Sequence, residues 1–371
     1  MFEILNLKPD SFGLDISDLS LKIAKFKKKK NYLSLVSFGE KNIAKGIIEE
    51  GEVKDEKALT EIIKNFVTEV NGEKLRTKYV VMSLPEEKAF LHVMQMPKME
   101  FEELKSAVMF ESENYIPLPM EDIYLDFQII EPMMDHLDHF DILIAALPKS
   151  TVDPYISAVK KAGLQPIALE IESLSISRAL VKNEISPTPL LLIDLGETRT
   201  SFIIFSGYSL RFTSSIPVSS LKFTELISRS LKIELAEAEK LKIAYGLTTD
   251  ETPQGQELFE AMIPVLTDLK EQIRVHIDYY HSHALHQHLP EGVSTIGKII
   301  LSGGGGNLKG LPEFLASELK IPVEIGNPWI NILPSPLQEV PPLSFYSSLG
   351  YTTALGLALR SIKEKSSYIT K

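Results

Sequence analysis

Two short segments of the chain repeat one order of residue types: an apolar run, an aspartate, a short polar turn and a second apolar run. The segments are Ser11–Phe26 (SFGLDISDLSLKIAKF) and Leu190–Phe205 (LLLIDLGETRTSFIIF). Both patterns predict a β-hairpin, with Asp15 or Asp194 at the end of the first strand. A polar hairpin tip presents backbone N–H groups that hold phosphate oxygens, and an aspartate beside it can orient the water shell of Mg²⁺. Two such tips predict a cleft that grips a triphosphate from both sides.

A run of four glycines, Gly303–Gly306, follows the predicted strand Lys298–Leu301. Glycines let the backbone approach a ring closely, and the run opens the predicted helix Pro312–Leu319. Glu239 and Lys242 are three residues apart on another predicted helix and so share a face that can hydrogen-bond a ribose or an adenine edge. Taken singly, these features are typical of a loop and a solvated ion pair. Their occurrence with the two hairpins in one chain favours a nucleotide site.

Composition limits the classes of function. Lys and Arg total 39 against 50 Asp and Glu, a net charge of −11, which disfavours a uniformly basic nucleic-acid binder. The 371 residues include no Cys, so disulfides, thiolate zinc sites, iron–sulfur clusters and a cysteine nucleophile are excluded. The length predicts two or three domains. No stretch approaches the roughly 20 apolar residues that span a bilayer, and the acidic first 20 residues do not resemble a signal peptide. We therefore expect a cytoplasmic protein that reaches a membrane only through a partner.

The hairpins recur at the start of each half and predict two related α/β domains. A β-α-β-β-α pattern after about residue 80 predicts a compact inserted subdomain. Helical spacing is expected over Asp55–Val70, Glu100–Tyr115 and Glu170–Val181. The proline-containing segment Ile185–Pro189 is the predicted interdomain hinge.

Together these segments resemble the actin-like ATPase superfamily and, within it, the type IV pilus assembly PilM family. The stretches that carry the resemblance are FGLDISDLSLKIAKF, LLLIDLGETRTSFIIF, AEKLKIAYG and IILSGGGGNLKGLPEFLASELKIPV. The resemblance implies an α/β fold, a duplicated actin-like (ribonuclease H-like) fold with two lobes around a nucleotide cleft and an inserted FtsA/PilM-type α+β subdomain. The implied domains are residues 1–79 with 164–189 and 345–371, the insertion 80–163, and the second domain 190–344 with 221–258 as its helical subdomain.

The same resemblance implies that ATP and Mg²⁺ are the cofactors. The first phosphate hairpin would use Asp15, Ser17 and Lys22, and the second would use Asp194, Gly196, Glu197 and Thr198. The nucleoside would lie against Glu239, Lys242, Gly303, Gly304, Gly305 and Asn307. Asp15 and Asp194 would hold Mg²⁺ through water. Glu172 would position the attacking water, with Glu170 as the alternative, and hydrolysis is expected to be slow or absent.

One residue departs from the family pattern. Asp18 lies in the first hairpin tip, where the family usually has small hydroxyl residues or glycine. A carboxylate about 4 Å from a phosphate would be repelled by about 4 kcal/mol at an effective dielectric near 20. Asp18 is therefore expected either to point away, to lie on the metal, or to weaken nucleotide binding.

The expected partner is a PilN-like inner-membrane protein, whose cytoplasmic N-terminal tail would lie between the first domain and the insertion. Pilus motor ATPases are further candidate partners, and nucleic acid is not one. The chain would then be cytoplasmic and peripheral to the inner membrane. An FtsA-like filament-forming division protein is the alternative, although the terminal KEKSSYITK lacks the expected amphipathic helix. A small-molecule kinase is a third candidate, which the chain length disfavours.

Overall fold

The computed structural model describes residues 9–29, 32–133, 138–247, 252–283, 293–334 and 336–362. The elements up to residue 148 are β1 Ser11–Ile16, β2 Ser20–Lys29, β3 Tyr32–Asn42, β4 Ile48–Glu49, β5 Glu52–Val53, α1 Glu56–Phe66, β6 Asn71–Gly72, β7 Tyr79–Leu84, β8 Phe90–Pro97, α2 Phe101–Ser112, β9 Ile123–Ile130 and β10 His139–Pro148. The next are α3 Lys149–Lys161, β11 Gln165–Ile171, α4 Glu172–Leu180, β12 Ser186–Leu195, β13 Thr200–Gly207, β14 Ser209–Ile216, α5 Ser220–Leu231, α6 Leu235–Tyr245 and α7 Pro253–His283. The last are β15 Lys298–Ser302, α8 Leu311–Leu319, β16 Val323–Ile325, α9 Phe345–Leu349 and α10 Thr352–Ile362.

Two sheets repeat one strand order. The first has the order β11-β7-β1-β2-β3-β6, and the second has the order β14-β13-β12-β15-β16. In each, the first strand pairs antiparallel with the strand that follows it and parallel with a strand that returns later. Both predicted hairpins are confirmed, as is the duplicated two-lobe α/β fold. Each polar turn therefore lies at the same edge of its own sheet.

Helices cover both faces of the first sheet. On one face, α1 and α3 bury Leu59, Ile63, Tyr155 and Val159 against β1 and β7. The predicted first helix is confirmed in position. It begins after Asp55, whose carboxylate accepts a hydrogen bond from the N–H of Ala58, and it ends sooner than expected, at Phe66. On the other face, α10 packs against β1, β2 and α4.

The insertion is smaller than the predicted subdomain of residues 80–163. Its sheet has the order β8-β10-β9 and is covered by α2, around a core that includes Met94, Leu104 and Ile142. By contrast, β7 hydrogen-bonds to β1 and β11 in the first sheet, and α3 packs into the core of that lobe. The structure thus places the two ends of the predicted insertion in the first lobe.

Three other boundaries differ from the sequence-based prediction. The expected helix from Glu170 begins at Glu172, because Gln165–Ile171 pairs with β7 as a strand. Of the predicted hinge Ile185–Pro189, all but the first residue forms the irregular start of β12, where Ser186 pairs with Gly207 and the next pair is Leu190 with Phe205. Trp329 and Ile332, assigned by prediction to the second domain, pack with Ala24 of the first sheet. In each case packing or strand pairing determines the boundary. The local order of apolar and polar residues does not predict it.

The insertion also contacts the second lobe directly. Asp141 on β10 and Arg211 on β14 form an ion pair with Oδ2 and Nη1 2.6 Å apart, and both side chains are buried. Next to them, Ile130 and Leu143 of the insertion pack with Leu192 of the second sheet. The insertion is therefore covalently part of the first lobe and packed onto the second. Among the described residues, no helix is long and apolar enough to cross a membrane.

Glycines allow the closest helix contact in the first lobe. A Cβ on Gly356 of α10 would lie 2.0 Å from the carbonyl oxygen of Ser175 on α4. A Cβ on Gly13 of β1 would lie 2.5 Å from the carbonyl oxygen of Ala354. Since the obstructing atoms belong to the backbone, a side chain at either position forces the helix α10 away from its neighbours.

We predict that Gly356→Ala lowers the free energy of unfolding by about 1–3 kcal/mol, because overpacking against backbone cannot be relieved by a rotamer change. Urea unfolding followed by circular dichroism measures it. Gly304→Ala is the matched control, since a Cβ there meets no heavy atom within 4 Å. Equal stability of the two variants would contradict the close α4–α10 packing.

Candidate functional site

The two polar turns face one cavity between the lobes, with a volume of about 410 Å³. This volume lies within the usual range of small-molecule sites, about 300–1,000 Å³. Eleven of the fourteen predicted site residues line it, namely Asp15, Ser17, Lys22, Glu172, Asp194, Gly196, Glu197, Thr198, Gly303, Gly304 and Asn307. The fold therefore brings residues from both halves of the chain to one place.

The first turn is closed by local hydrogen bonds. The N–H of Ser17 donates to the carbonyl of Ser20 at 2.9 Å, and the Lys22 ammonium donates to the Ser20 hydroxyl at 2.7 Å. Asp18 Oδ1 accepts a hydrogen bond from the N–H of Gly51 at 3.1 Å. That bond holds one oxygen of the unusual tip carboxylate toward the neighbouring loop, which favours the first of the three expected positions.

The second turn leaves a row of donors exposed to the cavity. Its own closing bond runs from the N–H of Gly196 to the carbonyl of Arg199 at 2.9 Å. The carbonyls of Gly196 and Glu197 accept from the first residues of α5. Within the described residues, the N–H groups of Glu197, Thr198 and Arg199 make no hydrogen bond. These three successive donors can bind an anion.

The glycine run forms a further wall of the cavity, next to the second turn. Gly303 has φ 79°, and a Cβ there would lie 2.5 Å from the carbonyl oxygen of Leu195, so only glycine fits beside the second hairpin. Asn307 donates its Nδ2 to the carbonyl of Tyr346 at 2.8 Å. Its Oδ1 is buried and has no hydrogen-bond partner in the part of the chain that the structure describes. An unsatisfied buried acceptor is costly, and an amino group of a ligand would satisfy it.

Three predicted nucleoside contacts, Glu239, Lys242 and Gly305, do not line the cavity, and their role stays a prediction. Gly305 packs against the Leu195 side chain. The ammonium of Lys242 is buried, donates to the hydroxyls of Ser220 and Thr224, and lies 2.8 Å from the Glu239 carboxylate. Glu239 also accepts from Thr224. The pair therefore joins α6 to α5, and in this structure its polar groups are occupied by the protein.

Carboxyl groups from both lobes repel one another in the cavity. Burial raises the pKa of Asp194 to about 6, and the charge of Asp15 adds to the effect. Burial also raises the pKa of Asp15, against the opposing charge of Lys22. The pKa of Glu172 is raised well above its ordinary value by burial first and then by Asp15. A cation brought by a ligand would relieve this repulsion.

Glu172 is the first residue of α4 and faces the cavity, whereas Glu170 does not. The Glu170 carboxylate is buried in a bidentate ion pair with Arg178, both contacts at 2.6 Å, and lies 3.0 Å from Arg360. These partners leave Glu170 a structural role that fixes α4 against α10. The alternative choice for the water-positioning residue is therefore wrong on position.

The residues present suit a metal that arrives with its ligand. Among the described residues, no group of three or more His, Asp or Glu side chains is placed to hold a metal alone. Asp15 and Asp194, one from each hairpin, offer hard oxygen ligands beside a potential phosphate site. Mg²⁺ is usually held by one or two carboxylates together with water and phosphate oxygens. The donor set fits that pattern.

The cavity-lining residues that the sequence analysis did not identify include Glu87, Tyr155 and Arg199. Arg199 belongs to the second polar turn, so its position beside Thr198 was a usable signal. Glu87 follows β7 and Tyr155 lies within α3, and no local motif marks either residue.

The strand order, the paired turns and the interlobe cavity define the actin-like ATPase fold with an inserted subdomain. A family model for the type IV pilus assembly protein PilM matches residues 13–362, and the chain belongs to that family. The solved PilM-PilN type IV pilus biogenesis complex is similar with TM-score 0.76 and 26% identity, over 96% of this chain and 100% of the other. MreB5 of Spiroplasma citri bound to ADP shares the fold, with TM-score 0.53 and 12% identity over 94% of this chain and 95% of the other.

Curated relatives are more distant. FtsA of Neisseria meningitidis is 26% identical over 184 residues, 46% of this chain and 44% of the relative. FtsA of Helicobacter pylori strain 26695 is 25% identical over 209 residues, 50% of this chain and 41% of the relative. The chain thus spans less than half the length of these relatives, and the family match favours PilM over the division proteins.

We predict that Asp194→Asn stabilises the nucleotide-free protein at neutral pH. The folded-state pKa of about 6 exceeds the ordinary value of 3.8, so Asp194 contributes favourably below pH 4 and that contribution is lost as pH rises through 6. The variant should match wild type near pH 4 and exceed it by about 1–3 kcal/mol above pH 7. Urea unfolding across pH measures the difference.

The exposed Asp268→Asn on α7 is the control and should shift stability by less than about 0.5 kcal/mol at any pH. A variant Asp194→Asn that is less stable than wild type at pH 7 would show that the carboxylate is not held under repulsion.

Proposed function

We propose that the cleft binds Mg·ATP and that nucleotide binding serves a scaffold of type IV pilus assembly. The observation that supports this most strongly is the duplicated pair of turns, each with an aspartate, facing one cavity. One turn presents three successive N–H groups without partners in the described residues. Donors from one lobe, with carboxylates from both, match a ligand that combines phosphates with a divalent cation.

The ligand would be oriented by the two walls. The adenine would lie near Asn307, whose free Oδ1 can accept from an exocyclic amino group. The phosphates would lie between the turns, against the N–H groups of Glu197 and Thr198 and the ammonium of Lys22. Asp15 and Asp194 would hold Mg²⁺ through its water ligands, and the metal would supply charge neutralisation for the phosphates.

Glu172 would position water near the terminal phosphate. Burial and the neighbouring carboxylates raise its pKa well above the ordinary value, which disfavours the charged form that a water-orienting base needs. The cation that arrives with the nucleotide would lower this pKa again. Hydrolysis is therefore expected to be slow, and binding rather than turnover would be the main event.

The partner would be the cytoplasmic N-terminal tail of a PilN-like inner-membrane protein. Family membership and the similarity to the PilM-PilN complex support it. The chain would then be cytoplasmic and attached to the inner membrane through that partner. The insertion follows β7 of the first lobe in the chain and contacts the second lobe through Asp141–Arg211. A change in the lobe angle would therefore alter the surface that the tail meets.

We predict that Mg·ATP at about 100 times its Kd raises the free energy of unfolding by about 2.7 kcal/mol. A thermal-shift titration should show a rise of several degrees that EDTA reduces. Asp194→Asn should lose most of the shift although its ligand-free form is more stable, because the variant lacks a metal-orienting carboxylate.

Asp268→Asn should keep the full shift. No shift for wild type at millimolar Mg·ATP would refute nucleotide binding, and an unchanged shift for Asp194→Asn would refute the assigned metal site.

We predict that a fluorescent peptide with the N-terminal tail sequence of a PilN-like protein binds the full chain. Its affinity should differ at least five-fold between nucleotide-free and Mg·nucleotide protein, the lower end of usual allosteric coupling. Fluorescence anisotropy measures both states, with a scrambled peptide as control. Equal affinities would exclude coupling, and binding no tighter than that of the scrambled peptide would exclude this partner.

A further inference from the structure

Arg199 is the last residue of the second turn and lines the cavity. Two of its guanidinium nitrogens are held by β14: Nε donates to the Ser215 hydroxyl at 2.9 Å, and Nη2 donates to the Ser215 carbonyl at 3.4 Å. Within the described residues, Nη1 makes no hydrogen bond or ion pair. The side chain is thus fixed on one edge and keeps donors for a ligand on the other.

Charge is distributed unevenly among the lining residues that the structure describes. Seven are acidic: Asp15, Asp18, Glu40, Glu87, Glu172, Asp194 and Glu197. Two are basic, Lys22 on the first hairpin and Arg199 on the second. The Lys22 ammonium already lies 3.3 Å from Glu40 and 2.7 Å from the Ser20 hydroxyl. Of these two cations, Arg199 therefore has more donor capacity left for a ligand.

The cavity has two chemically different ends. At one end, Asn307 is bonded to the Tyr346 carbonyl, and Gly350 approaches Gly304. At the other end, Tyr155 donates to the Gly51 carbonyl at 3.1 Å, and Gly51 also bonds Asp18. The negative charge of Glu87 at this second end interacts with Arg199. Glu172 also lines the cavity, and its charge interacts with Asp15, Glu87 and Asp194.

A nucleotide with its base near Asn307 would extend its phosphates along the cavity that Arg199 also lines. The proposed function places the base there, and the following inference rests on that placement. We propose that Arg199 binds the terminal phosphate of a nucleoside triphosphate and so makes the site prefer triphosphate over diphosphate. A planar guanidinium with free donors matches phosphate oxygens better than an ammonium does.

Isothermal titration with Mg·AMPPNP and with Mg·ADP tests the preference. Arg199→Gln should weaken triphosphate binding by about 10- to 100-fold and diphosphate binding by less than three-fold, because only the triphosphate reaches the guanidinium. Arg199→Lys should lose part of the preference, since it keeps the charge without the fork. Arg229→Gln on the exposed side of α5 is the control and should change neither affinity.

The preference is refuted if Arg199→Gln leaves both affinities unchanged or weakens both equally. Should Arg199→Gln fail to fold, Arg199→Lys alone tests the inference. A ratio of triphosphate to diphosphate affinity equal to that of wild type would then refute it. Failure of the proposed function is a separate outcome, because wild type would then bind neither nucleotide. Binding by wild type with no effect at Arg199 would leave the nucleotide site in place and remove only this residue's role.

Discussion

Repulsion between Asp15 and Asp194, which meet across the cleft from separate lobes, is the interaction on which the site depends. Burial raises the pKa of both groups, and the charge of Asp15 raises the pKa of Asp194 further, so like charges oppose one another in the cleft. In the proposed function, a divalent cation would replace that repulsion with attraction to both carboxylates. Because each aspartate ends the first strand of its own sheet, the duplicated fold fixes them at equivalent positions.

The insertion gives the cleft a connection to a distant surface. It begins after β7, whose neighbour in the first sheet carries Asp15, and its strand β10 forms the buried pair Asp141–Arg211 with the second lobe. One guanidinium nitrogen of Arg211 is buried without a partner. Breaking a buried pair by removing one partner typically costs about 3–5 kcal/mol. The insertion is thus attached to both lobes, and its position depends on the angle between them.

The order of residue types along the sequence predicted the parts of the fold that depend on neighbouring residues, such as the two hairpins. The hairpins around Asp15 and Asp194 were visible because alternation, a polar turn and a terminal aspartate recur in sequence. The limits of the insertion were not, because β7 and α3 are assigned to the first lobe only by strand pairing and burial. Lys242 illustrates the same limit at the site: its helix was predicted correctly, but the hydroxyls that hold its ammonium come from α5. Residues such as Glu87 and Tyr155 carry no motif, so only the structure reveals them.

A crystal structure of the full chain with Mg²⁺ and a non-hydrolysable ATP analogue tests the central claim most directly. The account predicts a triphosphate between the two turns, within hydrogen-bond distance of the N–H groups of Glu197 and Thr198. Mg²⁺ should lie with its water ligands between the carboxylates of Asp15 and Asp194. An empty cleft at saturating nucleotide, or a nucleotide bound at another surface, would contradict it.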